Sequence, residues 1–346
     1  MATGISFSLE KFQPSQKETT TRSKWPIIGN LNLLGSLPRV SLHHLSQKYG
    51  DLVLLKFGSK PVLVATSPEM TKEILKTHDA IFASSHISCW TVDSFEYIRV
   101  EERRTLISHV FSLSGKPVLL KDHLPRFTLR TIKHKAKKED YVPEDMVDTF
   151  LHLADDPNLQ VKLTSDRLMG LIHDLVSGAT DTSAATIEWA FQELLRKPNI
   201  IDKAQQELDR VIGKDKETFR LHPLAALLPP HYSIEDCNVA GYDIPKGTTV
   251  FVNAWSLGRS EKCWDRPEEF ISERFVENNI DIKGQNFALL PFGSGIRRCP
   301  VYSLAMKIVR TTMANLLHGF KWKLAGDMKL EDISMEEIYG LTTHPN

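Results

Sequence analysis

Cysteine is scarce. The 346-residue chain has four, Cys89, Cys237, Cys263 and Cys299, and no Cys-x-x-Cys pair among them. That excludes a zinc ribbon or a disulfide framework and fits a reducing compartment. An excess of either charge is also lacking. Lys+Arg and Asp+Glu both number 43, which argues against a general nucleic-acid binder. No apolar run approaches the roughly 18 residues that a membrane span needs, and there are no repeats or low-complexity tracts. What remains is a globular composition, 41% hydrophobic and 25% charged, long enough for one large domain or two ordinary ones.

The first 24 residues are polar, with Lys11, Gln13, Ser15, Gln16, Lys17, Glu18 and three threonines in a row, and they read as a disordered tail. Glu10 and Glu18 count against an organelle transit peptide. Order is expected from Trp25-Pro26-Ile27-Ile28-Gly29-Asn30 onward. A short helix is expected over 41–47. The branched runs 52–57 and 61–65, joined by Gly58-Ser59-Lys60, predict a β-hairpin. Ser67-Pro68-Glu69 opens a further helix, with serine as N-cap and proline in the first turn. Helices are also expected over 146–154, over 164–196 up to Lys197-Pro198, and over 201–212 with Gly213 just beyond. Residues 239–253 read as a hairpin followed by a strand.

The densest stretch is Pro291-Phe292-Gly293-Ser294-Gly295-Ile296-Arg297-Arg298-Cys299-Pro300. Leu304, Ile308, Val309, Leu316 and Leu317 follow at helical spacing, which places Cys299 at a helix entrance. Unsatisfied N–H groups and the positive dipole end there favour a thiolate. Gly293 and Gly295 allow a sharp turn and close approach to a flat ligand. Arg297 is a permanent cation able to pair with a carboxylate. A thiolate beneath a carboxylate-bearing macrocycle is the arrangement in which haem iron favours O–O cleavage. The plain alternative is a buried structural cysteine after a Gly-rich turn.

Phe292, Gly295, Arg297 and Cys299 match Phe-x-x-Gly-x-Arg-x-Cys-x-Gly, and the loop resembles the haem-binding signature of the cytochrome P-450 family. Val301 stands where that family has glycine. Gly178-Ala179-Thr180-Asp181-Thr182-Ser183 resembles the oxygen-activation motif, with Ala179 in place of the commoner glycine. Glu217 and Arg220, one helical turn apart, match the family's Glu-x-x-Arg. Arg274 matches the arginine of its Pro-Glu-Arg-Phe element, with Ser272 in place of proline.

The resemblance, closest to plant flavonoid-hydroxylase-like members, implies a mainly α fold with a small β-rich subdomain, incomplete here. It implies haem b with Cys299 as axial ligand, and Phe292, Gly293, Gly295 and Arg297 as its cradle. By the same match Thr182 and Asp181 would form a proton relay, His231 would meet a haem propionate, and Glu217, Arg220 and Arg274 would form a buried ion network. Bland alternatives stand beside these: a small-residue packing site for 178–183, a solvated loop histidine for His231 and a surface ion pair for Glu217 and Arg220. The implied reaction inserts one oxygen atom from O2 into a small apolar or phenolic substrate, with electrons from NADPH through a flavoprotein reductase. Arg298, Lys307 and Arg310 offer that partner a basic face.

Family pieces are missing near 85–94, 132–140 and 215–216, within a single domain expected over 25–346. Trp90 lacks the correctly spaced arginine of the family's propionate-binding helix, and the run Lys133-His134-Lys135-Ala136-Lys137-Lys138 reads as solvated linker where the roof of the pocket should lie. The family implies the endoplasmic reticulum membrane. Without an N-terminal anchor in the sequence, a cytoplasmic location is the other expectation. The competing reading of function is a non-catalytic, shortened remnant with weak or no haem binding.

Overall fold

The computed structural model describes residues 27–83, 96–114, 116, 164–197, 211–271, 273–277, 280–322, 324, 326–339 and 343–345. The polar tail, the start at Trp25-Pro26, Trp90, the basic run 133–138, the helix expected over 146–154 and most of that expected over 201–212 lie outside the described residues. The chain forms two compact units, one of residues 1–84 and 229–253, the other of residues 85–228 and 254–346.

The first unit is built on a four-stranded sheet. Strands β1 (Leu52–Phe57) and β2 (Lys60–Ala65) form the expected hairpin, with Leu52 opposite Ala65. Further along are β3 (His231–Tyr232), the small hairpin β4 (Cys237–Val239) and β5 (Tyr242–Ile244), and β6 (Thr249–Val252). The order is β1-β2-β6-β3, with β6 parallel to β2 and antiparallel to β3. Val62, Leu63, Val64 and Ala65 are all buried, the continuous apolar run of a strand covered on both faces. Helix α1 (Pro38–Tyr49) starts on a proline and buries Leu42. In α2 (Pro68–Lys72) the Ser67 hydroxyl accepts from the Met70 N–H at 3.4 Å. A π turn over Glu73–Thr77 and the short α3 (Asp79–Phe82) complete the unit.

The second unit is mainly helical: α4 (Glu96–Ser112), α5 (Ser165–Leu195), α6 (Val211–Leu221), α7 (Ala254–Gly258), α8 (Arg274–Glu277) and α9 (Tyr302–Gly319), with the strand pair β7 (Glu337–Tyr339) and β8 (Thr343–Pro345). Apolar stripes of α4, α5 and α9 meet in one core through Leu106, Val110, Ile187, Leu194, Val309 and Leu316. The glycine expected to end a helix does not. Helix α6 runs through Gly213, whose cost of about 1 kcal/mol in a helix interior is outweighed because the next turns bury Glu217, Phe219 and Arg220. Among the described residues no helix is long and apolar enough to cross a membrane.

Candidate functional site

The loop of residues 291–300 folds back on itself. Gly293 N–H donates to the Leu290 carbonyl at 3.2 Å, and Cys299 N–H donates to the Phe292 carbonyl at 2.8 Å. Between them a 3-10 turn spans Gly295–Arg297, with Arg298 N–H on the Gly295 carbonyl. Gly293 and Gly295 hold φ of 70° and 68°, left-handed values that side chains disfavour. The Phe292 ring meets Phe219 of α6 edge-on, centroids 5.3 Å apart. Cys299 is half-buried, is in no disulfide, and packs against the core that holds Val301 and Leu304. Arg297 is half-buried at the end of the 3-10 turn.

The sulfur-bearing residue stands slightly farther from the helix than its sequence suggests. Tyr302 is the first residue of α9 and Val301 is the N-cap, so Cys299 lies three residues ahead of the first turn. Val301 has φ −108°, which suits any residue, and its side chain is buried. The departure from glycine is therefore absorbed by the core.

Behind the loop lies a buried ionic cluster. Both Glu217 and Arg220 are fully buried, and Arg220 donates twice to the Glu217 carboxylate, each at 2.8 Å. Arg220 also donates to the carbonyls of Gly258, Pro267 and Glu269. Arg274 Nε donates to Glu217 Oε1 at 3.1 Å, and Ile271 N–H reaches the same oxygen at 2.8 Å. Arg274 further donates to the carbonyls of Asp265, Arg266 and Glu269. Such saturation is what lets two guanidinium groups and one carboxylate remain out of water. It rules out a loose surface pair.

Thr182 lies mid-way along α5. Its hydroxyl donates to the Gly178 carbonyl at 2.8 Å, and Thr186 repeats the pattern onto Thr182 at 2.9 Å. Asp181 is exposed and Thr182 half-buried. His231 belongs to the other compact unit, on β3, where its Nδ1 lies 3.2 Å from the Phe82 carbonyl and carries the proton if it donates there.

Sequence reasoning missed His222. It is buried one residue beyond α6, with Nε2 2.9 Å from Glu193 Oε1 and its ring stacked on Trp189. Burial pushes its pKa below the usual histidine value, partly opposed by the bond to Glu193 and that carboxylate's charge. Its only visible signal is that a histidine directly follows Leu221 on the buried side of an otherwise ionic helix.

The donor chemistry fits a haem iron. Cys299 offers one soft sulfur on a rigid turn, whereas among the described residues no group of three or more His, Cys, Asp or Glu is placed to hold a metal ion. Gly293 adds no side chain, and beyond its chain neighbours the nearest atoms, of Arg298 and Leu228, lie 3.9 Å from where a Cβ would stand.

Comparison with known proteins agrees with the geometry. The family model Cytochrome P-450 matches residues 20–101 and 120–346. Cytochrome P-450 71A1 of Persea americana is 33% identical, over 91% of this chain and 89% of its own. That alignment is 447 positions long, more than the 346 residues available, so the relative has stretches without counterpart here. The 4-hydroxyphenylacetaldehyde oxime monooxygenase of Sorghum bicolor is 30% identical, covering 92% and 85%. A zebrafish cytochrome P-450 structure with progesterone superposes with TM-score 0.79 at 19% identity, covering 90% of this chain and 98% of the other.

Proposed function

The chain belongs to the cytochrome P-450 family, and from that premise we propose that Cys299 would hold the haem iron through its thiolate in a monooxygenase reaction driven by NADPH-derived electrons. The family is one of haem-thiolate monooxygenases, so haem b is the cofactor. Bound there, haem supplies the reductive activation of O2 and the transfer of one oxygen atom to an organic substrate. The observation that carries the assignment is the half-buried Cys299, in no disulfide, on a turn closed by its own N–H on the Phe292 carbonyl.

The other residues take supporting roles in this reading. Arg297 would hold a propionate by charge. Thr182, already bonded to a main-chain carbonyl, holds a hydroxyl that passes a proton, with Asp181 as the exposed acid that resupplies it. Glu217, Arg220 and Arg274 brace the segment behind the loop. Lys307 and Arg310 on α9 contribute cations that steer an acidic reductase. Relatives named for oxime monooxygenation support a small aromatic or phenolic substrate. A location at the endoplasmic reticulum membrane is part of the same proposal.

The interrupted alignment favours a second reading, in which the chain keeps the thiolate side but no longer turns over. One series of measurements separates the two. The purified chain is given hemin, reduced under carbon monoxide, and its Soret band recorded for wild type and for Cys299→Ala. The long-wavelength band of thiolate ligation in wild type alone supports Cys299 as ligand. No haem band at all sinks the assignment. A thiolate band without substrate-dependent NADPH consumption selects the remnant.

A further inference from the structure

We infer that Lys283 and Gly284 are positioning residues for Cys299: their backbone clamps the outer side of the cysteine loop and sets where the sulfur stands. The inference rests on Cys299 being the haem ligand. Three separate contacts carry it. The Ser294 hydroxyl, buried, donates to the Gly284 carbonyl at 2.6 Å. Arg298 Nη1 donates to the Lys283 carbonyl at 2.9 Å, while its guanidinium lies 4.5 Å over the ring of Tyr302, the first residue of α9. Gly284 itself is pressed against the loop. A Cβ there would stand 2.7 Å from the Gly293 carbonyl oxygen and 3.2 Å from Ser294 Cα, at a φ of +81°.

The clamp has a fixed base. Ile282 is buried in the same core as Phe219, Phe275 and Leu289, and the Asp281 carboxylate accepts from the Lys283 N–H at 2.7 Å. Its free side meets Gly293 and Ser294, immediately after Phe292, whose carbonyl holds the Cys299 N–H. Moving Gly293 therefore moves the acceptor that orients Cys299. The clamp also explains why Arg298 is tethered rather than extended into water. None of these contacts is visible in the loop's own pattern, because Lys283 and Gly284 lie outside it.

A loosened clamp lets the sulfur leave its position, and loss of thiolate ligation gives a shorter-wavelength Soret band in the reduced carbon monoxide complex. The test uses the full chain loaded with hemin, comparing wild type with Ser294→Ala, Ser294→Thr and Gly284→Ala at equal haem content. Ser294 has φ −146° and ψ 171°, an extended conformation that threonine adopts, so Ser294→Thr keeps the hydroxyl in place. We expect the shorter-wavelength form to become the major species in Ser294→Ala and Gly284→Ala, and Ser294→Thr to resemble wild type. An unchanged band in both Ser294→Ala and Gly284→Ala overturns the inference, and if Gly284→Ala does not fold, Ser294→Ala decides. A colourless wild type instead sinks the ligand assignment. In that case amide exchange of the unloaded chain still judges the clamp: Ser294→Ala should speed exchange across 291–300 by about tenfold and leave β1 and β2 unchanged. Equal exchange in the two proteins overturns it.

Discussion

Trp189 and His222 lie face to face, ring centroids 4.1 Å apart and planes within 7° of parallel. The stack joins α5 to the end of α6. The indole N–H donates to the Thr343 carbonyl at 3.3 Å, and Thr343 N–H and hydroxyl reach the carbonyls of Leu224 and Pro223. The stacked pair thus links the long helix, the end of the Glu217 helix and, through the indole, β8.

This arrangement has a pH signature. Burial lowers the pKa of His222 in the folded chain, against 6.5 when exposed, with Arg259 and Arg220 adding to the effect and Glu193 opposing it. Above about pH 6.5 the ring is neutral folded or unfolded, and its contribution is fully present. As pH falls below that value, the unfolded chain takes up the proton first and stability declines, by at most about 1.4 kcal/mol per pH unit. Urea unfolding at pH 7.5 and 5.5 should show this fall in wild type and a smaller one in His222→Gln. Equal falls would show that other groups carry the dependence.

Buried and exposed arginines should differ sharply. Glu217→Gln removes the charge between Arg220 and Arg274 and leaves two desolvated cations short of it. The expected loss is on the order of 3–5 kcal/mol, enough to prevent accumulation of folded protein. Arg266 pairs with Asp265 and Glu269 in full solvent, so Arg266→Ala should leave the denaturant midpoint unchanged. Comparable losses from both substitutions would refute the central place given to Glu217.

What the sequence made legible was local. The 52–65 hairpin, the Ser67-Pro68 helix start and the i, i+3 pair of Glu217 and Arg220 each sit within a few residues, so spacing and turn chemistry define them. The His222 assembly draws on Trp189, Glu193 and Thr343 from distant stretches, and no periodicity announces it. Lys283 and Gly284 were overlooked for a related reason, because what matters there is backbone proximity rather than side-chain type. Gly213 misled because tertiary burial overrides a helix-ending glycine. For the cysteine loop, the signature conveyed the turn but not the two residues, Pro300 and Val301, that separate Cys299 from α9.

Thr182 permits a test of proton delivery that leaves the fold alone. Its hydroxyl donates to the Gly178 carbonyl of its own helix, so Thr182→Val keeps shape and helix while removing the proton. The haem spectrum and urea midpoint should match wild type. With a small aromatic compound that perturbs the haem band, product formed per NADPH should fall at least about tenfold, and hydrogen peroxide should rise in its place. Thr182→Ser should recover most of the coupling. Wild-type coupling in Thr182→Val would remove the residue from the proposed relay.

Val301 reverses the usual expectation about restoring a family residue. Glycine at this place would match the signature, yet the backbone here, φ −108° and ψ 20°, gives glycine no steric advantage. The valine side chain is buried in the core shared by Leu106, Val110 and Leu304, and Cys299 packs against that same core. Val301→Gly therefore opens a void in the core against which Cys299 packs and adds freedom to the unfolded chain, for an expected loss of about 2–4 kcal/mol. The softened N-cap should also speed amide exchange in the first turn of α9, because Ala305 N–H donates to the Val301 carbonyl at 2.9 Å. A Val301→Gly chain that unfolds at a higher denaturant concentration than wild type would mean that the loop is strained by the valine, and that the core has not absorbed it.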